Sequence, residues 1–320
     1  MTAFSGTYVE AIRQALFDAM EADPRVCCLG EDIGAYGGAF RATEGLLDRF
    51  GPDRVIDTPI AEQAIVGAAI GAALMGQRPV AEFQFMDFAL LASDLMVNFA
   101  AKAHWRWGAS VPAVFRGPSG GGNGGGPFHS QNPEAHFLGS PGLKVVAPGT
   151  VRDAYALLRA AIEDPDPVLF LEHKHLYRRL KAQWDETPTA RLGEAALRKD
   201  GASACIITYG AAQHVALEAV AELDVAVLDL RTLWPLDDET IADLTKRTHR
   251  VLVLTEATRT YGPGAELAAR IGETCFSWLD APVMRLGAAD TPTPASTPLE
   301  TVFLPSARLI RSEVEVLLAW

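Results

Sequence analysis

The sequence predicts an α/β protein of two domains, and three observations carry that expectation. Its 320 residues divide into about two domains at roughly 100 to 200 residues each, long enough for each to bury a core. Short apolar runs alternate with segments of helical periodicity, the signature of a largely parallel sheet with helices on both faces. A charged, weakly periodic stretch from Lys174 to Lys199, with Trp184 as its one large anchor, interrupts the alternation and reads as a linker before a smaller second α/β domain.

The elements follow in order. Thr7 and Glu10 form a capping box, and Val9, Ile12, Leu16 and Met20 then recur on one helix face. Strands are expected at Val26 to Leu29, in RVID and in PVAEFQF, with a helix from Ala61 between the last two. A helix through Leu95 and Phe99, the strand PAVF, a glycine-rich loop, the strand LKVVAP, the helix VRDAYALLRAAIED and the strand PVLFLE complete the first series. The second series runs ACIITYG, a helix through Ala216 and Val220, VAVLDL, a short helix after Pro235, RVLVLTE and a helix from Gly264 to Trp278. TPTPASTPLE is too rich in Pro and Thr for a regular element, and a last helix spans Ser306 to Leu318.

Composition narrows the function classes. Lys+Arg 28 against Asp+Glu 40 gives a formal charge of -12, which repels phosphate backbones and anionic lipid, so no nucleic-acid partner is expected. The longest apolar run, Ala64 to Met75, is broken by glycine and too short to span a bilayer. Cys27, Cys28, Cys205 and Cys275 show no CxxC spacing and read as reduced core thiols. The opening segment has the features of neither a signal nor a transit peptide, so a cytoplasmic location is the default expectation.

Several motifs compete for the chemistry. GPSGGGNGGG matches both the GxSxG nucleophile elbow, at Gly117, Ser119 and Gly121, and GxGxxG, at Gly120, Gly122 and Gly125. Neither has the helix that the motif must open into. The glycines do leave a backbone free to adopt positive φ just before His129, which lies among Ser130, Gln131, Asn132 and Glu134 on a loop suited to catalysis. His173 and His175 lie two apart with no third ligand, a weak zinc pattern. Glu62 opens a helix that is nearly all Ala and Gly, with Gly67 and Gly71 four apart, so a neighbour can approach closely and bury the carboxylate. A buried carboxyl holds its proton more firmly and is suited to protonating a base. Phe83, Phe85 and Phe88 supply rings for the core or for a flat heterocycle.

The ordered segments from GEDIGAYGG through AEQAIVGAAIGAALMG, PVAEFQFMDF, GGGPFHSQNPEAHF, PGLKVVAP and DLRTLWPLD to TPTPASTPLE resemble the β subunit of thiamine-diphosphate-dependent 2-oxo acid dehydrogenases, over essentially the whole chain. The family includes pyruvate, branched-chain 2-oxo acid and acetoin dehydrogenases. The resemblance implies two transketolase-like domains, a parallel-sheet pyrimidine-binding domain over 1–180 and, after a linker at 181–200, a smaller C-terminal α/β domain over 201–320. It implies that Glu62 hydrogen-bonds the pyrimidine nitrogen of the cofactor, favouring the imino tautomer that deprotonates the thiazolium carbon. Phe88 would stack on the aminopyrimidine, and His129 would position or protonate the intermediate during transfer to a lipoyl group. A potassium site built largely of carbonyls is implied at Ala113, Ala161, Ile162, Asp164 and Asp166.

Departures and absences sharpen the expectation. Gly139 and Ser140 stand where relatives frequently carry a His, and His136 replaces a commoner aromatic, which leaves the acid and the lipoyl-bearing partner open. The chain has no Gly-Asp-Gly, the diphosphate and magnesium motif of thiamine enzymes. That half of the site, with its magnesium, is therefore expected on an α subunit in an α2β2 heterotetramer, the Ala/Gly helix lying at a subunit contact. The expected activity is oxidative decarboxylation of a 2-oxo acid with reductive acylation of the lipoyl group of an acyltransferase. The alternatives are an acetoin-cleaving or transketolase-like thiamine enzyme subunit, or a non-catalytic scaffold of the same fold.

Overall fold

The computed structural model describes residues 3–320. Met1 and Thr2, at the head of the segment examined for targeting features, lie outside the described residues. The chain divides into two compact units, one made of the residues up to Ser119 with His136–Leu192, the other of Gly120–Ala135 with Gly193–Trp320.

The first unit opens with β1 (Phe4–Thr7) and α1 (Tyr8–Ala22). The Thr7–Glu10 capping box is present: the Glu10 N–H donates to the Thr7 hydroxyl, and the Thr7 N–H to the Glu10 carboxylate at 2.6 Å. Together they satisfy two donors that every helix start leaves open. Then come β2 (Val26–Glu31), α2 (Leu46–Phe50), β3 (Val55–Thr58), α3 (Glu62–Leu74) and β4 (Arg78–Glu82). They are followed by α4 (Ala101–Trp107), β5 (Val114–Ser119), α5 (Glu134–Leu138), β6 (Lys144–Val146), α6 (Val151–Glu163), β7 (Val168–His173) and β8 (Lys181–Trp184).

Six of these strands lie parallel in the order β6-β7-β5-β4-β2-β3. Helices cover the sheet, so β2, β5 and β7 are buried throughout, and the stretches that open them read as apolar runs rather than alternating ones. Helices α1 and α6 pack together, and the Tyr8 hydroxyl donates to the Pro148 carbonyl at 2.9 Å. Polar side chains are buried at the carboxyl ends of the strands: Glu31, Glu82, Ser119 and Glu172. This is the edge at which open α/β sheets bind ligands.

The second unit contains β9 (Ala196–Lys199), β10 (Ala204–Thr208), α7 (Ala212–Ala219), β11 (Val225–Asp229), β12 (Thr232–Trp234) and α8 (Asp238–Thr248). It continues with β13 (Val251–Thr258), α9 (Pro263–Cys275), β14 (Met284–Ala288), α10 (Thr297–Phe303) and α11 (Ala307–Leu318). Its sheet has the order β14-β13-β10-β11-β9, parallel except for the antiparallel edge strand β9. Ile206, Val227, Leu252 and Leu254 meet Ala216 of α7 and Ile310 and Val314 of α11 in its core.

Four sequence expectations need correction. The stretch expected as a linker holds β8, paired antiparallel with β1, and β9. Both are short edge strands held by backbone pairing, and they carry too few buried side chains to show a period of two. The helix through Leu95 and Phe99 is irregular: a 3₁₀ segment over Met86–Ala92 and one π turn over Leu95–Ala100 lead into α4. TPTPASTPLE runs into α10, where Pro298 occupies the first turn, the one place in a helix whose N–H is not needed. Helix α9 ends at Cys275, and a 3₁₀ turn continues to Trp278. All four cysteines are buried and free, as expected.

Candidate functional site

Glu62 sits in the first turn of α3, where the helix dipole favours a carboxylate. Its N-cap, Ala61, makes no side-chain capping bond. Ile65, Val66, Ala69 and Ile70 anchor the helix in the core, and Glu62 itself is only 8% exposed. No donor among the described residues hydrogen-bonds its carboxylate. A carboxylate largely screened from water without a donor is disfavoured, because it has lost part of its hydration and gained no bond in return. The opposite face, with Ala64, Gly67, Ala68 and Gly71, is exposed. A Cβ built at Gly71 meets nothing within 4 Å, whereas one at Gly67 meets Leu95 Cδ1 at 3.7 Å, so the open part of this face lies around Gly71.

Glu31, which the sequence reading passed over, ends β2 opposite Thr58 of β3, four residues before Glu62. It is 5% exposed. Burial foremost, then the charge of Glu62, then that of Asp32, raises its carboxyl above the usual carboxylate range. The signal lay only in GED at a strand end, and the partner depends on register rather than on sequence spacing. Phe88 is half-buried in the 3₁₀ segment, its ring edge-on to Phe85 at 6.2 Å.

Of the residues read as cation ligands, Ala161, Ile162 and Asp164 lie at the C-terminus of α6, where the dipole is negative, Asp166 follows it, and Ala113 directly precedes β5. Arg78 Nη1 donates to the carbonyls of Ile162 at 2.8 Å and Asp164 at 3.2 Å. The Ala161 carbonyl accepts from the Asp164 N–H, and that of Ala113 from the Val168 N–H. Lys144 Nζ lies 2.6 Å from the Asp164 carboxylate and 3.7 Å from that of Asp166. No group of three or more His, Cys, Asp and Glu among the described residues is arranged to hold a metal. The His173 and His175 rings are 6.4 Å apart.

The glycine-rich loop belongs to the second unit together with His129. Ser119 closes β5 in register with His173 and is 5% exposed, so it is no exposed nucleophile. Beyond it Gly120, Gly122, Gly124 and Gly126 all have φ between 70° and 80°, a left-handed conformation that side chains disfavour. The chain curls so that backbone N–H groups converge on carboxylates: Gly122 and Gly124 donate to the two oxygens of Glu300, each at 2.8 Å, and Gly121 to Glu256 at 2.6 Å. Such a curl resembles the anion-binding nests of phosphate loops, but here side chains of the same unit fill it. After a 3₁₀ turn over Gly126–Phe128 comes His129, half-buried, its N–H directed at the Gly126 carbonyl. Further along, the Tyr209 hydroxyl donates to Glu134 at 2.6 Å, both residues buried. His136 and Gly139 are exposed, and Ser140 is buried.

Comparison with known proteins gives concordant matches. The model of the transketolase pyrimidine-binding domain matches residues 5–179, and that of the transketolase C-terminal domain matches residues 193–310. The 2-oxoisovalerate dehydrogenase subunit beta of Bacillus subtilis is 44% identical over 309 residues, 93% of this chain and 94% of that protein. The 3-methyl-2-oxobutanoate dehydrogenase subunit beta of Mycobacterium tuberculosis is 45% identical, covering 93% of this chain and 88% of that protein. The pyruvate dehydrogenase E1 component subunit beta of Rickettsia conorii is 41% identical over 310 residues, 94% of this chain and 94% of that protein. A solved split-gene transketolase, an inactive β4 tetramer, superposes with a TM-score of 0.79 at 22% identity over 99% of both chains, a likeness of fold.

Proposed function

The chain belongs to the family of β subunits of thiamine-dependent 2-oxo acid dehydrogenases, built on transketolase pyrimidine-binding and C-terminal domains, and on that premise we propose that Glu62, Phe88 and His129 form its share of a split active site. The buried carboxylate of Glu62, lacking a donor among the described residues, carries the proposal. A protonated ring nitrogen is the donor that such a group needs, and Phe88, in the 3₁₀ segment after β4, offers an apolar platform. Thiamine diphosphate, when bound, supplies a nucleophilic thiazolium carbon and an electron sink for decarboxylation. Glu62 holds a proton at the pyrimidine nitrogen, and Glu31 lies beside it with its own carboxyl raised above the usual range, by burial first and by the charge of Glu62 next. His129 orients or protonates the acyl group as it passes to a lipoyl acceptor on an acyltransferase.

The diphosphate half and its magnesium are assigned to an α subunit, since the sequence has no Gly-Asp-Gly. The exposed Ala/Gly face of α3 is the contact proposed for a subunit of an α2β2 assembly. Each of these carbonyls has a second lone pair, so Ala113, Ala161, Ile162, Asp164 and Asp166 are retained as the proposed potassium ligands. No helix among the described residues is long and apolar enough to cross a membrane. The four free cysteines fit the reducing cytoplasm proposed as its location. The substrate is a 2-oxo acid, pyruvate or a branched-chain acid, the relatives with both kinds of name being similarly identical.

The test is thiamine-diphosphate-dependent decarboxylation and lipoyl acylation by the chain co-expressed with its α subunit, for wild type and Glu62→Gln. Activity only in the complex, with loss of about a hundredfold or more in Glu62→Gln at unchanged thermal stability, is the expected result. Full turnover by the variant overturns the assignment of Glu62. Release of free aldehyde in place of lipoyl acylation would point to the acetoin-cleaving or transketolase-like alternative. Failure of a well-folded complex to bind the cofactor would point to a scaffold.

A further inference from the structure

We infer that Glu300 and Glu256 are positioning residues, whose carboxylates fill the curl of the glycine loop and fix the backbone that presents His129. The inference rests on the reading of His129 as the group that serves acyl transfer. Glu300 lies in the first turn of α10 and is 2% exposed, so its position is set by the body of the second unit rather than by the loop. Its two oxygens each take one N–H, from Gly122 and Gly124. Glu256, on β13, takes the N–H of Gly121 and, on the same oxygen at 3.2 Å, the side-chain amide of Asn132. The loop is thus held on both sides of His129, at Gly121 to Gly124 before it and at Asn132 after it.

A run of glycines has more conformational freedom than any other chain, and only strong local bonds keep it in one left-handed curl. Hydrogen bonds to ionised carboxylates are the short, strong class. No regular element beyond one 3₁₀ turn intervenes between the clamp and His129, so freedom gained at Gly122 reaches the imidazole undamped. The clamp also explains why a sequence resembling two phosphate and nucleophile motifs needs no anion from outside: the nest already holds one.

The test uses the full chain in complex with its α subunit and reads two quantities. Amide exchange over residues 120–126 of Glu300→Gln should rise at least about tenfold, because the amide that replaces one oxygen is a donor and leaves a glycine N–H unpaired. Acyl-transfer kcat should fall about tenfold with KM for the 2-oxo acid changed less than about twofold, and Glu300→Asp should recover part of it. In a His129→Ala background the same substitution should add less than about a twofold loss, since both act through one group. Unchanged loop exchange, or a full additional loss in the His129→Ala background, overturns the inference. If His129→Ala alone leaves acyl transfer intact, the reading of His129 fails and the positioning role fails with it. A loss in His129→Ala without one in Glu300→Gln rejects only the clamp.

Discussion

Arg116 on β5 donates to Glu172 on the neighbouring strand β7 at 2.7 Å, with both side chains buried in the sheet. The same guanidinium also bonds Glu82 on β4, and the Tyr177 hydroxyl donates to Glu172 at 2.6 Å. One cation therefore ties three adjacent parallel strands. Replacing Arg116 by Met would leave two buried carboxylates without their counter-charge, and should cost about 3 to 5 kcal/mol of stability. Urea unfolding of wild type and variant checks this, and a loss below about 1 kcal/mol would show that the two acids are neutral in the native protein.

Glu31 makes the stability depend on pH. Its folded pKa is raised, by burial first and by Glu62 and Asp32 next, above the ordinary value of 4.5. The native state therefore binds this proton more tightly than the unfolded chain, and the contribution of Glu31 to stability falls as pH rises from the unfolded pKa through the folded one. Glu31→Gln should gain on wild type across that window and hold a constant advantage above it. Unfolding free energies from pH 4 to pH 8 measure the difference, and a pH-independent offset would rule out the raised pKa.

The thiols of Cys28 and Cys205 are both pushed up to about 12 by burial. At pH 8 the thiolate would be about one part in ten thousand. Neither should react with an aromatic disulfide reagent in the folded protein within the time in which all four cysteines react in urea. Rapid labelling of Cys28 in the native chain would contradict its placement inside β2.

Gly71→Phe probes the exposed face of α3. Nothing lies within 4 Å of the Cβ position, and glycine costs a helix interior about 1 kcal/mol relative to alanine, so the variant should fold with stability equal to or above that of wild type. Assembly with the α subunit, read by size-exclusion chromatography, should be lost. Intact assembly would move the contact elsewhere.

Local signals were the legible ones. The capping box at Thr7 and Glu10 needs only four residues, and the apolar runs that open β2 and β7 announce strands buried on both faces. Edge strands β8 and β9 left no such mark, because their stability comes from backbone pairing that side-chain patterns do not encode. Pro298 was misleading for the opposite reason: proline breaks a helix interior but starts a helix well. At the candidate site, Glu62 and His129 stood out by their settings, whereas Glu31 and Glu300 did not. The partners of Glu31 arise from strand register, and Glu300 meets Gly122 across 178 residues of chain.

The carboxylate at position 62 has an evolutionary consequence. Largely screened from water and with no donor among the described residues, it costs the fold some stability whenever no ligand is present to meet it. A duplicated copy relieved of catalysis would grow more stable by exchanging this acid for glutamine or leucine, and drift would favour that change early. The residue found here in any descendant chain thus serves as a marker of whether that copy still works for its living.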